Sequence, residues 1–267
     1  MVFLETSAAV DFCFWDDKVQ AKIRAAFPQD PGTVPALSSY VLFELGRGFL
    51  HYLTLFHAKC HDLKSLSEVL AFMGRLYMQT YYRGAVNKSL EVYVRSVTER
   101  IGLNDAEEIV LLRAFLRSTI RRGWQKARAS TDAKFNPIGC RTIGDPHVDK
   151  DGIFVHELPL NQCGIPSNCG LKRYFSTWKS DFERIRDELA KDADPDAETQ
   201  RRIKSLKELC RLSDFANRHF SRDDCYNSGD AIICHEVPTG GSLVTKNGKH
   251  LVPIGAVLGR TVSVSAP

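Results

Sequence analysis

Val2-Phe3-Leu4-Glu5-Thr6-Ser7-Ala8-Ala9-Val10 opens the chain, and its reading decides the fold. Three apolar residues run without a polar break, the pattern of a short strand buried on both faces. An acid and two hydroxyl residues then precede a mixed apolar stretch from Ala8 to Trp15. A Thr or Ser hydroxyl can accept from the free N–H groups of a first helical turn, so Thr6 or Ser7 is expected to cap a helix. The stretch reads as strand, turn and helix, with Glu5 at the carboxyl end of the strand.

The other end of the chain holds matching pieces. Ser228 to Glu236 reads as the start of a helix, Thr239-Gly240-Gly241 as a turn, and Ser242 to Thr245 as a buried strand. Lys246-Asn247-Gly248 is a second turn, and Thr261 to Val264 alternates like an edge strand. Near the start, the loop Pro28 to Pro35 leads into a short strand at Val34 to Leu37, and Ser38-Ser39 then cap a helix from Tyr40 to Leu45. Strand signals lie at the two ends, with helices between. The expected fold class is therefore α/β: a central, mostly parallel sheet formed by both chain ends, with a large helical insertion. The expected core is 1–60 with 225–267, and the insertion is 61–224. Within the insertion, Leu63, Leu66, Leu70, Met73 and Tyr77 recur at helical spacing, as do Leu112, Phe115, Leu116, Thr119 and Ile120. Residues 135–174 form an irregular stretch rich in Cys, Pro and Gly. Helices return from Phe175 to Asp223 around the acidic turn Asp192 to Asp196.

Composition sets bounds. The chain has 267 residues, 43% hydrophobic and 25% charged, which excludes wholesale disorder, collagen and coiled coil. No stretch approaches the roughly 18 consecutive apolar residues of a membrane span, so no membrane partner is expected. Met1-Val2-Phe3-Leu4-Glu5 has no basic region and meets an acid at once, unlike a secretory signal. Eight cysteines are too few for a disulfide scaffold, so reduced thiols and a cytoplasmic location are expected.

Three acids share a local setting: Glu5 ends a strand, while Glu44 and Asp230 lie in the early turns of helices. Asn247 follows another strand. In open α/β sheets the ligand crevice lies beyond the carboxyl ends of the strands. Parallel neighbouring strands would bring these four side chains together there. Gathered carboxylates repel unless a cation sits among them, and hard oxygen ligands suit Mg²⁺ or Mn²⁺. An acid in a first helical turn also serves simply as a partner of the helix dipole. Asp11, Asp223, Asp224 and Glu236 are nearby acids read as structural or solvated.

Phe3-Leu4-Glu5-Thr6-Ser7-Ala8-Ala9-Val10-Asp11 resembles the opening motif of PIN-domain nucleases, a strand ending in Asp-Thr-Ser or Asp-Thr-Asn. Ser38 to Leu45 is similar to the family's second motif, which carries a Glu, and Gly229-Asp230-Ala231-Ile232-Ile233 to its third. Leu243-Val244-Thr245-Lys246-Asn247 with Lys249-His250-Leu251 resembles the last. The four occur in the family's order, over about Met1–Phe56 and Cys225–Gly259. The resemblance implies a PIN-like three-layer fold and a metal-dependent endoribonuclease hydrolysing RNA phosphodiester bonds. Glu5, Glu44 and Asp230 would hold Mg²⁺ or Mn²⁺, with Asn247 completing the catalytic set and Thr6 and Thr245 supporting it. Two positions depart from the family. Glu5 stands where Asp is usual, and Asn247 occupies a position that is Asp in part of the family. These feed the alternative, a PIN-like pseudonuclease acting as an RNA-binding or assembly subunit. Such proteins are typical of toxin–antitoxin and phage-defence systems, so an antitoxin or a defence-complex subunit is an expected partner.

The segment Arg113 to Lys134 carries Arg113, Arg117, Arg121, Arg122, Lys126, Arg128 and Lys134 against Asp132, a net +6 where the whole chain has +4. A stripe of Arg beside Trp124 suits phosphate contact with base stacking, in single-stranded or structured RNA. An interface with an acidic protein, or a plain solvated face, fits the same charges. Arg47 is read as a surface arginine or a phosphate clamp. Cys140, Cys163 and Cys169 share the irregular stretch with His147 and His156. A structural Zn²⁺ there is the minor reading, because Cys163-x₅-Cys169 is not a common zinc spacing. Cys13, Cys210 and Cys234 fall on apolar helix positions and read as core.

Overall fold

A computed structural model describes residues 1–28, 33–79, 83–97, 105–131, 145–156, 169–212 and 221–265. In chain order its elements are β1 (Val2–Leu4), α1 (Thr6–Phe14), α2 (Asp17–Ala25), α3 (Ser39–Leu45), a π-helical turn (Gly46–Leu50), α4 (His51–Asp62), α5 (Leu66–Gln79), α6 (Arg83–Val97) and α7 (Asp105–Ala129). There follow β2 (His147–Val148), β3 (Phe154–Val155), α8 (Leu171–Thr177), α9 (Lys179–Leu189), α10 (Ala197–Leu212), α11 (Arg222–Asn227), α12 (Gly229–Glu236), β4 (Ser242–Thr245), α13 (Gly248–Val257) and β5 (Thr261–Val264). No helix among the described residues is long and apolar enough to cross a membrane.

The fold is mixed α/β, and its main sheet joins both ends of the chain. The strand order is β1-β4-β5, and both pairings are parallel. Phe3 lies opposite Leu243, and Leu4 opposite Val244. Val2, Phe3, Leu4, Leu243 and Val244 are all buried, which is why these strands read as unbroken apolar runs. β5 is the partly exposed edge. The expected strand at Val34–Leu37 shrinks to isolated bridges, Phe3 with Ala36 and Leu37 with Thr131. Pro35 has no N–H to extend a ladder.

The chain divides into two compact units: 1–43 with 127–142 and 159–267, and 44–126 with 143–158. The expected insertion 61–224 coincides with neither. The first unit holds the sheet. Its helix α13 rests on β5 through two glycines seven residues apart. A Cβ on Gly248 would lie 2.6 Å from Val264 Cγ2, and one on Gly255 would lie 2.4 Å from Val262 Cγ2 and 3.3 Å from the Arg260 carbonyl. Valine is stiff at χ1 and cannot swing aside. Gly255→Ala is therefore expected to cost about 1–3 kcal/mol as an overpacking change, measurable by urea unfolding. Among the helices of this unit, Phe175 and Phe182 are fully buried and stacked, with ring centroids 4.0 Å apart.

Among the described residues, the second unit consists of helices and the β2–β3 hairpin. On α5 the buried face is Leu66, Val69 and Met73. Leu63 precedes the helix and Tyr77 is exposed, so the apolar stripe sits slightly off the expected one. The apolar spacing over 61–130 predicts continuous helix, but α4 ends at Leu63 and α5 begins at Leu66. In the hairpin turn, Asp149 Oδ1 accepts from the N–H groups of Asp151 and Ile153, both at 2.9 Å, and Gly152 adopts φ 79°.

The hairpin docks on α4 through His57. The Phe154 N–H donates to His57 Nδ1 at 3.4 Å, and the two rings meet edge-on. Burial pushes the His57 pKa down to about 4, helped by the neighbouring His61, Arg117 and Arg113 and opposed by Asp149. Between about pH 6.5 and 4 the unfolded chain binds a proton here that the folded chain does not. Stability should thus fall as pH drops through that window and level off below it, by at most about 3 kcal/mol from this group. Urea unfolding at stepped pH would show this, and His57→Gln would flatten that component.

Candidate functional site

The site is built at the carboxyl edge of β1 and β4. Glu5 follows β1, and its N–H donates to the Val244 carbonyl at 2.9 Å, which continues the ladder. Glu5 itself, not Thr6 or Ser7, caps α1. Its Oε1 accepts from the Ser7 N–H at 2.9 Å and its Oε2 from the Ser7 hydroxyl at 2.6 Å. Thr245 ends β4 fully buried, and its hydroxyl donates to Glu5 Oε2 at 3.1 Å while accepting from the Asn247 N–H at 2.8 Å. Parallel strands necessarily present successive carboxyl ends on one side, so residues 240 positions apart meet. Asn247 stands exposed at the start of α13, and its side chain makes no capping bond. Thr6 opens α1 half-buried.

Asp230 lies in the first turn of α12, as expected. One turn further, the Cys234 thiol has its pKa pushed well up, first by burial and then by the negative charges of Asp230 and Glu5. Asp230 meets a cation that the sequence did not announce. Arg202, on α10, places Nη2 2.8 Å from Asp230 Oδ2 and 2.7 Å from Glu198 Oε1. Burial raises the Asp230 pKa, while Arg202 and His250 pull it back down. His250 is buried near the acids, with Nε2 3.7 Å from Glu198 Oε2. The i,i+4 spacing of Glu198 and Arg202 was visible in the sequence. The reach of Arg202 to a different helix was not.

Asp11 is structural. Buried on α1, it accepts from Trp15 Nε1 at 2.9 Å and from Lys246 Nζ at 2.8 Å. Asp224 forms a capping box with Ser221, Asp223 is exposed, and Glu236 is buried rather than solvated. Glu44 belongs to the second unit. It sits in the second turn of α3, just before the π-helical turn, with Oε1 3.1 Å from Arg47 Nη2. Arg47 is buried, not a surface arginine.

The donor chemistry suits a hard divalent ion: two carboxylates, an amide and hydroxyls. The arrangement does not. Both Glu5 oxygens hold protein donors, Asp230 holds Arg202, and no group of three or more His, Cys, Asp or Glu among the described residues is placed to share a metal. For zinc, Cys140 and Cys163 lie outside the described residues, Cys169 is half-buried, and His147 is exposed.

The basic helix is α7. Arg117, Arg121 and Arg128 are exposed and fall within about 40° of one another around the axis at 100° per residue. Arg122 is exposed on a different side, and Lys126 is half-buried. Arg113 is tied down, its Nε donating to the Cys60 carbonyl at 2.7 Å. Trp124 is not a stacking platform: it is buried, and its Nε1–H donates to Asp145 Oδ1 at 2.9 Å. Asp132 and Lys134 lie outside the described residues.

No protein-family model, no curated protein and no solved structure matches the chain.

Proposed function

We propose that the chain is a PIN-like endoribonuclease that depends on Mg²⁺ or Mn²⁺, with its acid crevice at the carboxyl edge of the parallel sheet. One observation carries the reading: Glu5 and Thr245, from opposite ends of the chain, meet at 3.1 Å where β1 and β4 end, with Asp230 opening the helix that precedes β4. RNA is the proposed substrate because α7 carries an exposed arginine stripe, and such a stripe binds a polyanion by phosphate contact and counterion release. With Trp124 buried, affinity rests on charge and should fall steeply with salt.

The test uses the full chain with labelled single-stranded RNA, single-stranded DNA and duplexes, in millimolar Mn²⁺ or Mg²⁺ and in chelator. Cleavage of RNA only with metal supports the reading. DNA cleavage under the same conditions would redirect it to a DNA nuclease. A specific observation also favours a second reading, an RNA-binding or assembly subunit without activity: Asp230 already has a cationic partner in Arg202. RNA binding without cleavage at any metal concentration would select it. An antitoxin-like or defence-complex partner remains part of the proposal, and co-purification of the chain with its genomic neighbour would test it.

A further inference from the structure

Helix α7 gives one face to the core and the other to solvent. Ile109, Leu112, Leu116 and Ile120 are buried. On the opposite side Glu107, Ala114 and Arg121 are exposed, all within the second unit. They recur every seven residues, so at 100° per residue they lie within about 40° of one another, on the midline of the solvent face. Val110 and Arg117 fall to one side of that line, Leu111 and Ser118 to the other, and all four are exposed. The face changes character along its length. An acid comes first, then an apolar patch with Val110 59% and Leu111 39% exposed beside Ala114, and then the arginines. Phosphate contact accounts for the arginines and leaves the two exposed aliphatic side chains without a role.

We propose that the solvent face of α7 docks a second copy of this chain, with the two helices antiparallel about a two-fold axis at Ala114. That placement matches both halves of the face at once. At 1.5 Å per residue Glu107 and Arg121 lie about 10 Å to either side of Ala114, so the acid of each copy meets the arginine of the other. The same axis sets Val110 against the partner's Arg117, whose aliphatic stem can cover it, and Leu111 against the partner's Ser118. Ala114, on the axis, lets the helices approach closely. A two-fold contact uses the same patch on both copies, so each favourable pair is made twice. A parallel pairing in register would set Arg121 against Arg121 and is disfavoured by like charge. The seven side chains of this face are well under the roughly 20–30 per partner of a standard interface, so the pairing is weak and reversible. It adds a regulation to the nuclease reading above and rests on that reading in this respect only: paired copies cover Arg117 and Arg121, so self-association and RNA binding exclude each other.

Sedimentation velocity on the full chain, from micromolar to submillimolar concentration and without nucleic acid, reads the pairing directly. The unmodified chain is expected to move from monomer to dimer across that range. Arg121→Glu sets acid against acid and Glu107→Arg sets arginine against arginine, so each alone should weaken the dimer at least about tenfold. The double variant Glu107→Arg/Arg121→Glu restores opposite charges across the axis and should restore the dimer. All three changes are at exposed positions, and circular dichroism checks that each variant folds. A monomer at every concentration, or a dimer indifferent to the single changes, would overturn the proposal and leave the nuclease reading untouched. The run is then repeated with a short single-stranded RNA in chelator, where no metal-dependent cleavage occurs. RNA should return the dimer to monomer. A dimer that binds RNA and stays paired would overturn the exclusion. A dimer that obeys the charge swap but binds no RNA would keep the pairing and count against RNA as the substrate.

Discussion

Asp230→Asn is expected to keep the fold and, on the proposed nuclease reading, to reduce metal-dependent RNA cleavage by at least about 10²–10³-fold, the size of a lost pre-organised electrostatic contact. Asn has the volume of Asp and still offers an oxygen to Arg202 Nη2, now at 2.8 Å from the carboxylate. What it removes is the charge. Burial already disfavours that charge, because desolvation is the leading cause of the raised Asp230 pKa. Neutralising it relieves a desolvation cost while Arg202 keeps Glu198 as counter-ion. Stability should accordingly move by no more than about 1–2 kcal/mol, in either direction. Parallel cleavage assays and thermal melts separate the two effects. A variant that melts like the unmodified protein and cleaves equally well would remove Asp230 from the site. A variant that loses cleavage only because it unfolds would show in the melt.

The elements legible in the sequence were those whose burial is uniform. Val2-Phe3-Leu4 and Ser242 to Thr245 are buried along their whole length, so an apolar run was signal enough. Thr261 to Val264 lies at the edge, where the apolar alternation marks the strand but does not set its burial, since Val264 is exposed. Helix starts are also marked locally in the sequence. Ser65 and Glu68 carry a helix-start signature: Ser65 Oγ accepts from the Glu68 N–H at 3.3 Å, and Glu68 Oε2 from the Lys64 N–H at 3.1 Å. That signature marks the break at the start of α5. Trp124 follows Ile120 by four and precedes Ala127 by three, so helical spacing alone assigns it to the buried stripe. The Arg202–Asp230 pair is of another kind. The two residues lie on separate helices, and only tertiary packing brings them together. Composition and periodicity describe one element at a time, and the cation in this crevice comes from outside the elements that form it.

Glu5→Ala is expected to destabilise the protein by about 3 kcal/mol, and the sign matters more than the size. A carboxylate kept only to hold a metal repels its acidic neighbours when the metal is absent. Deleting it would then raise the melting temperature, as is common when function is removed from a strained site. Glu5 is held differently. It is buried and takes three donors: the Ser7 N–H at 2.9 Å, the Ser7 hydroxyl at 2.6 Å and the Thr245 hydroxyl at 3.1 Å. Loss of a helix cap costs about 1 kcal/mol, and a hydrogen bond to a charged group about 1.5–3 kcal/mol. The Thr245 hydroxyl, buried and already accepting from Asn247, would be left with a proton and no acceptor. Glu5→Asp divides these contributions. A shorter carboxylate can still cap α1 through Ser7, but it falls short of Thr245 by about one methylene, so it should cost less than Ala. Urea unfolding in chelator gives both numbers. If Glu5→Ala raised stability, the cap and the tie to Thr245 would be incidental, and Glu5 would belong to the crevice for its charge alone.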